Sequence, residues 1–115
     1  MQTSPEIAEA VSRGHSMNRA LWLPGWEARS TWGWDRADQS LFAQLYRNNE
    51  SGELPPQGKL WVSPPRYAPT GDTEELAGRI AEATGEDKGA VLRAMAESLG
   101  DEGGARLRDL AMASA

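Results

Sequence analysis

The chain contains no cysteine, which excludes disulfide scaffolds, thiolate metal sites and cysteine nucleophiles together. Histidine is almost missing as well. His15 is the single one, it falls in a stretch expected to be a loop, and a lone imidazole without a nucleophile or metal partners makes no catalytic site. No apolar run approaches the roughly 20 residues that a membrane-spanning helix requires. The amino terminus, Met-Gln-Thr-Ser-Pro-Glu, lacks the basic patch and apolar stretch of a secretory leader, so a cytoplasmic location is the expectation. The phosphate-cradling patterns Gly-x-x-x-x-Gly-Lys and Gly-x-Gly-x-x-Gly are absent, and the run from Gly100 to Gly104 carries two acids, the wrong charge for a phosphate. Asp35 with Asp38, and Asp101 with Glu102 and Asp109, follow no calcium-loop or di-carboxylate spacing and suit turns and caps. The expectation is a protein without metal or cofactor that is not an enzyme.

Positive charge is also in short supply. Seventeen acids against 12 bases leave a net charge of -5, which opposes generic binding to polyanions. The imbalance is local: residues 1 to 69 hold seven acids and seven bases, whereas residues 70 to 115 hold ten acids and five bases. Ten of the 12 bases are arginine and alanine is abundant, the bias of a GC-rich bacterial genome. A length of 115 residues is one domain's worth and can hold a core unaided. Within it we distinguish an N-terminal arm (1–18), a Trp-rich β region (19–68) and an acidic helical region (70–112), the break falling near Pro69-Thr70-Gly71-Asp72.

What the chain does have is tryptophan. All five, Trp22, Trp26, Trp32, Trp34 and Trp61, lie within forty residues of one another. Each indole brings a large apolar area and one N–H in need of a partner, so such a cluster is either a dense small core or a stacking surface. Four strands are expected there, Ala20 to Leu23, Arg29 to Trp34, Leu41 to Arg47 and Lys59 to Ser63, separated by Pro24-Gly25, by Asp35 to Asp38, and by a long polar loop from Asn48 to Gly58. Period-2 alternation then separates an aliphatic face (Leu21, Leu23, Leu41, Ala43, Leu45, Leu60, Val62) from an aromatic one (Trp22, Phe42, Gln44, Tyr46, Trp61). Trp32 and Trp34 share a face of their own strand and are expected to join the aromatic side.

A short helix is expected from Pro5 to Arg13, with Ser4 as its N-cap and Gly14 as its stop. Asp72-Thr73-Glu74-Glu75 reads as a capping-box start to a helix ended by Gly85; Asp87 caps a second, with Val91, Leu92, Met95 and Leu99 at helical spacing before Gly100. A third follows Gly103-Gly104 through Leu107, Leu110 and Ala111. The fold class is α+β: a small antiparallel meander of three to four strands packed on C-terminal helices, with a short N-terminal helix. Three outcomes remain open for the aromatic face. It is covered by the N-terminal arm or by curling of the sheet, it is buried in a homodimer, or it meets solvent as a binding platform.

Part of the β region resembles a WW domain, through Leu23-Pro24-Gly25-Trp26-Glu27, Tyr46-Arg47-Asn48 and Trp61-Val62-Ser63-Pro64. The spacing departs from that family, since Trp26 and Trp61 are 35 positions apart. The resemblance implies that Tyr46 and Trp61 grip proline. Pro64-Pro65-Arg66-Tyr67 is also a literal copy of the motif that WW domains recognise, although a stiff exit from the last strand explains it equally. Leu76 to Met95 resembles the helix-turn-helix of bacterial regulators: Ala81 stands at the small position, Gly85 at the turn and Val91 at the packing position. That resemblance implies a recognition helix from Asp87, with Lys88 and Arg93 reading DNA, while Glu86 and Asp87 beside them oppose phosphate.

The residues thus point to a small binding protein that contacts a protein partner through Trp22, Trp32, Trp34, Phe42, Gln44, Tyr46 and Trp61, flanked by Arg29, Arg47 and Arg66. Homodimer formation is an open possibility, no membrane association is expected, and nucleic acid is disfavoured by net charge. The alternative is a nucleic-acid-associated regulator using the hairpin at 73–99.

Overall fold

The computed structural model describes residues 3–27, 29–47 and 59–113. Its centre is an antiparallel sheet of four strands, β1 (Met17–Ala20), β2 (Thr31–Asp35), β3 (Ser40–Tyr46) and β4 (Lys59–Val62), in the spatial order β1-β2-β3-β4. Each strand lies beside its predecessor, as in an antiparallel meander. The β2–β3 turn uses its expected carboxylate: Asp35 Oδ1 accepts the Ala37 amide at 2.9 Å, and Gln39 takes a left-handed φ of 51° before β3 begins. The helices are α1 (Ala8–Arg13), α2 (Thr73–Thr84), α3 (Lys88–Gly103) and α4 (Ala105–Ala113). The fold is therefore α+β as the hydrophobic pattern predicts, with helices on one face of the sheet.

The helix starts show how the arm is placed. Asp72 accepts the Glu74 amide at 3.0 Å and Asp87 the Ala90 amide at 3.2 Å, as expected of N-caps. Ser4 does not cap its own helix. α1 begins only at Ala8, its N-cap Ile7 has no side-chain bond, and Ser4 Oγ instead accepts the Thr73 amide at 2.9 Å while Ser4 N–H donates to the Gly71 carbonyl. The first amides of α2 need acceptors, and the arm folds back across 69 positions of sequence to supply one. Glu75, expected to close a capping box, bonds Thr70 Oγ1 at 3.0 Å and Arg79 at 2.6 Å. α3 also runs past its expected stop: Gly100 breaks the helical geometry (φ 82°, ψ -177°) but the helix resumes to Gly103. Gly104 then brings α4 back against α3, where any Cβ would collide with the Ala96 carbonyl.

The core lies between the helices and the inner face of the sheet. Ile7, Trp32, Leu41, Leu45, Leu76, Ile80, Leu92, Met95 and Leu107 are all fully buried in it. Trp32 and Trp34 belong here, which corrects their expected place on the aromatic face. The register pairs Trp32 with Ala43 and Trp34 with Leu41, and directly opposed residues of an antiparallel pair share a face. Alternation within β2 only separates the two tryptophans from Thr31 and Gly33, without saying which set goes inward. Burial decides it: an indole removes about 150–250 Å² from water, or about 4 to 6 kcal/mol of transfer free energy as an upper bound, which Gly33 and Thr31 cannot match. The buried N–H of Trp32 donates to Ser98 Oγ at 2.9 Å, and the Ser98 hydroxyl in turn donates to the Met95 carbonyl at 2.6 Å, so neither the indole N–H nor the hydroxyl is stranded.

One polar cluster ties arm to helices. Glu6, with a side chain only 2% exposed, accepts two bonds from Arg106 at 2.7 and 2.8 Å and one from the Thr73 hydroxyl at 3.0 Å. Burial by itself would raise the Glu6 pKa. The Arg106 hydrogen bonds and charge, with a backbone amide and Thr73, outweigh it and hold the carboxyl below its ordinary value. Arg106 is raised in turn, chiefly by its bonds to Glu6. The arm therefore packs on the helical side and leaves the outer face of the sheet alone.

Candidate binding surfaces

The outer face follows from register. Thr31, Gln44 and Trp61 form one row across β2, β3 and β4, and Gly33 lies opposite Phe42 in the next. Gly33 admits β1 at close range, since a Cβ there would run into the Met17 carbonyl. Tyr46 pairs with Lys59, two positions from the Gln44–Trp61 pair, so Tyr46 and Trp61 are diagonal neighbours on one face. No described element covers this face. Trp61 is 45% exposed, while Phe42, Gln44 and Tyr46 are half-buried by their neighbours. Beside Trp61 is a hollow of about 310 Å³ walled by Phe42 and Gln44 and rimmed by Asp35 and Asp38. Phe42, Gln44, Tyr46 and Trp61 are thus brought together as the strand alternation predicts. The two carboxylates beside them were missed, because only the turn that follows β2 carries them to the aromatic row.

Trp22 is elsewhere. β1 ends at Ala20, earlier than the strand expected from Ala20 to Leu23, and Leu21 and Leu23 turn inward so that Trp22 turns out, 65% exposed. It lines a second hollow, of about 360 Å³, with Asn18, Arg19 and Ala20 of β1 and Ala94, Glu97 and Ser98 of α3. Since α3 packs on the inner side of the sheet, Trp22 and Trp61 open on different surfaces. Trp26 is buried at an isolated bridge to Arg47, whose guanidinium stands 5.1 Å from the ring centre. Arg29 stacks over Tyr46 at 4.1 Å and also meets Glu27 at 3.3 Å, so two of the expected flanking arginines are engaged with rings. Arg66 is exposed in the turn after β4. Of the loop expected from Asn48 to Gly58, no residue lies within the described set.

In the helical hairpin, Val91 is buried, Ala81 half-buried and Gly85 left-handed at φ 79°, as tight packing of α2 on α3 requires. Lys88 meets Glu74 at 3.5 Å. Gly89 is buried beneath α4, close to the Ala111 carbonyl, and Arg93 is exposed one turn further on. Among the described residues there is no cluster of three or more His, Cys, Asp or Glu suited to a metal ion, and no helix is long and apolar enough to cross a membrane. The chain matches no family model, no curated protein and no solved structure.

Proposed function

We propose that this chain is a non-enzymatic binding protein that takes a polypeptide partner on the outer face of its sheet. The observation that carries this reading is Trp61, 45% exposed on a face that no described element covers, above a hollow with a carboxylate rim. An indole face attracts cations through its quadrupole, and Asp35 and Asp38 reinforce that attraction, so the partner group is a lysine or arginine side chain. The same carboxylates repel phosphate, which favours a polypeptide over nucleic acid. The helical hairpin supports its alternative less well, because Lys88 is shared with Glu74 and Gly89 is covered by α4.

A pull-down from a soluble extract with wild-type bait and with Trp61→Ala and Asp38→Asn baits tests the reading. A protein retained by wild type and lost by both variants, whose circular dichroism is unchanged, supports it. A complex that survives both substitutions sinks it. Salt-sensitive retention of mixed-sequence duplex DNA, abolished by Lys88→Ala and Arg93→Ala, would favour the hairpin instead.

A further inference from the structure

Aromatic rings of this molecule already hold arginines. The guanidinium of Arg29 stands 4.1 Å from the ring centre of Tyr46, that of Arg47 5.1 Å from Trp26 and that of Arg79 5.5 Å from Tyr67. Trp61 offers a ring of the same kind, 45% exposed, and no cation among the described residues stands over it. It walls the hollow of about 310 Å³ that Asp35 and Asp38 rim, and no basic side chain among the described residues lines that hollow. The acceptors there are largely unused. Asp35 gives one carboxylate oxygen to the Ala37 amide at 2.9 Å, and neither Asp35 nor Asp38 is in an ion pair among the described residues. Gln44 lies directly opposite Trp61 in the register, so its side-chain amide shares the face with the indole.

We propose that this hollow is an arginine subsite: the guanidinium of a partner polypeptide stacks on Trp61 and directs its N–H groups to Asp35, Asp38 and the Gln44 side-chain carbonyl. The subsite rests on the polypeptide reading of the same face and narrows the partner's cation to one side chain. Volume limits the occupant. About 310 Å³ is at the lower end of the ~300–1,000 Å³ of ordinary ligand pockets, room for a single side chain and not for a folded element. Charge selects a cation, since two carboxylates on one rim repel each other and a positive group between them relieves that repulsion, with the indole quadrupole adding to the attraction. Chemistry then separates the cations. A guanidinium is planar, weakly hydrated and carries five N–H donors, so it stacks on a ring and meets acceptors at its edge in one pose. A lysine ammonium is compact and strongly hydrated, and beside a half-exposed indole it keeps its water. A trimethylated lysine suits the ring but has no N–H for the carboxylates. Trp22, the other exposed indole, shares its hollow with both Arg19 and Glu97, so charge selects no ion there.

The probes are the N-acetyl amides of arginine, lysine, trimethyllysine and citrulline, titrated into the full chain and followed by NMR at the Trp61 indole and Gln44 side-chain amide resonances. The arginine amide should shift both saturably, with a Kd on the order of 1 to 10 mM for one seated side chain. The lysine amide, and the citrulline amide with arginine's shape but no charge, should bind at least about fivefold more weakly. Asp38→Asn and Trp61→Ala should each weaken arginine binding by about fivefold or more with unchanged circular dichroism, and the first suffices if the second folds poorly. Equal affinity for arginine and lysine overturns the arginine subsite and leaves the cationic polypeptide reading standing. Tighter binding of trimethyllysine would make the hollow an apolar cage and overturns the subsite too, as does citrulline binding as well as arginine or an Asp38→Asn variant that binds as wild type does. If no probe shifts Trp61 while Trp61→Ala still loses a pull-down partner, the subsite alone falls; if no such partner exists either, both readings fall.

Discussion

Glu6→Gln keeps the size of the side chain and removes its charge, so it isolates what the Glu6–Arg106 pair contributes. Hydrogen bonds to charged groups are worth about 1.5 to 3 kcal/mol each, and two of them join these side chains. The sum overstates the loss, because the Arg106 side chain is 41% exposed and can turn to water. A cost of about 2 kcal/mol is the reasoned figure, equivalent to a drop in Tm of roughly 6 to 12 °C for a domain of this size. Its pH dependence has a definite sign. The folded pKa of Glu6 is lowered from 4.5, so the stabilisation is fully present above the unfolded value and is lost as pH falls through the folded one. Thermal melts followed by far-ultraviolet circular dichroism should therefore give a gap between wild type and variant that is constant well above 4.5 and shrinks as the pH is taken below 4.5 through the lowered folded value. A gap that persists unchanged into that acid range, or a variant that melts with wild type at neutral pH, would refute the account of this cluster.

Other consequences are simpler to check. Acrylamide should quench the indoles of Trp22 and Trp61 readily and the other three poorly, so a Trp22→Phe, Trp61→Phe protein should show blue-shifted, protected emission; quenching as strong as wild type would mean that Trp26, Trp32 or Trp34 is solvated. Trp32→Phe should destabilise by about 2 to 3 kcal/mol in urea melts, from the lost bond to Ser98 and the space left in a fully buried site, whereas Trp22→Phe should cost under about 0.5 kcal/mol. Gly104→Ala should lower Tm more than Gly14→Ala, measured by calorimetry, because only Gly104 is pressed against a backbone carbonyl.

Much of this architecture is legible in local chemistry. The meander, the caps at Asp72 and Asp87 and the stop at Gly85 all rest on interactions within a few residues, which composition and spacing encode directly. Half of the outer surface was legible too, since Phe42, Gln44, Tyr46 and Trp61 follow from alternation in two strands whose apolar and mixed sets differ clearly. β2 carries no such contrast. Its pattern Thr-Trp-Gly-Trp-Asp allows either set to face inward, and resemblance among aromatics pointed the wrong way. Ser4 misled for a related reason: a good capping residue serves whichever helix start lies nearest in space, and that start was 69 positions away.

The tryptophan cluster and the shortage of cysteine, histidine and positive charge are properties of the chain itself. So is the switch from strand-forming to helix-forming residues near Pro69, because propensity and period act along the chain. How five similar indoles divide is a different kind of fact. Cross-strand register sends Trp32 and Trp34 into the core, the early end of β1 turns Trp22 toward α3, the bridge to Arg47 buries Trp26, and the uncovered outer face leaves Trp61 to solvent. Each of those placements depends on residues distant in sequence competing for one buried volume, and only the tertiary structure decides that competition.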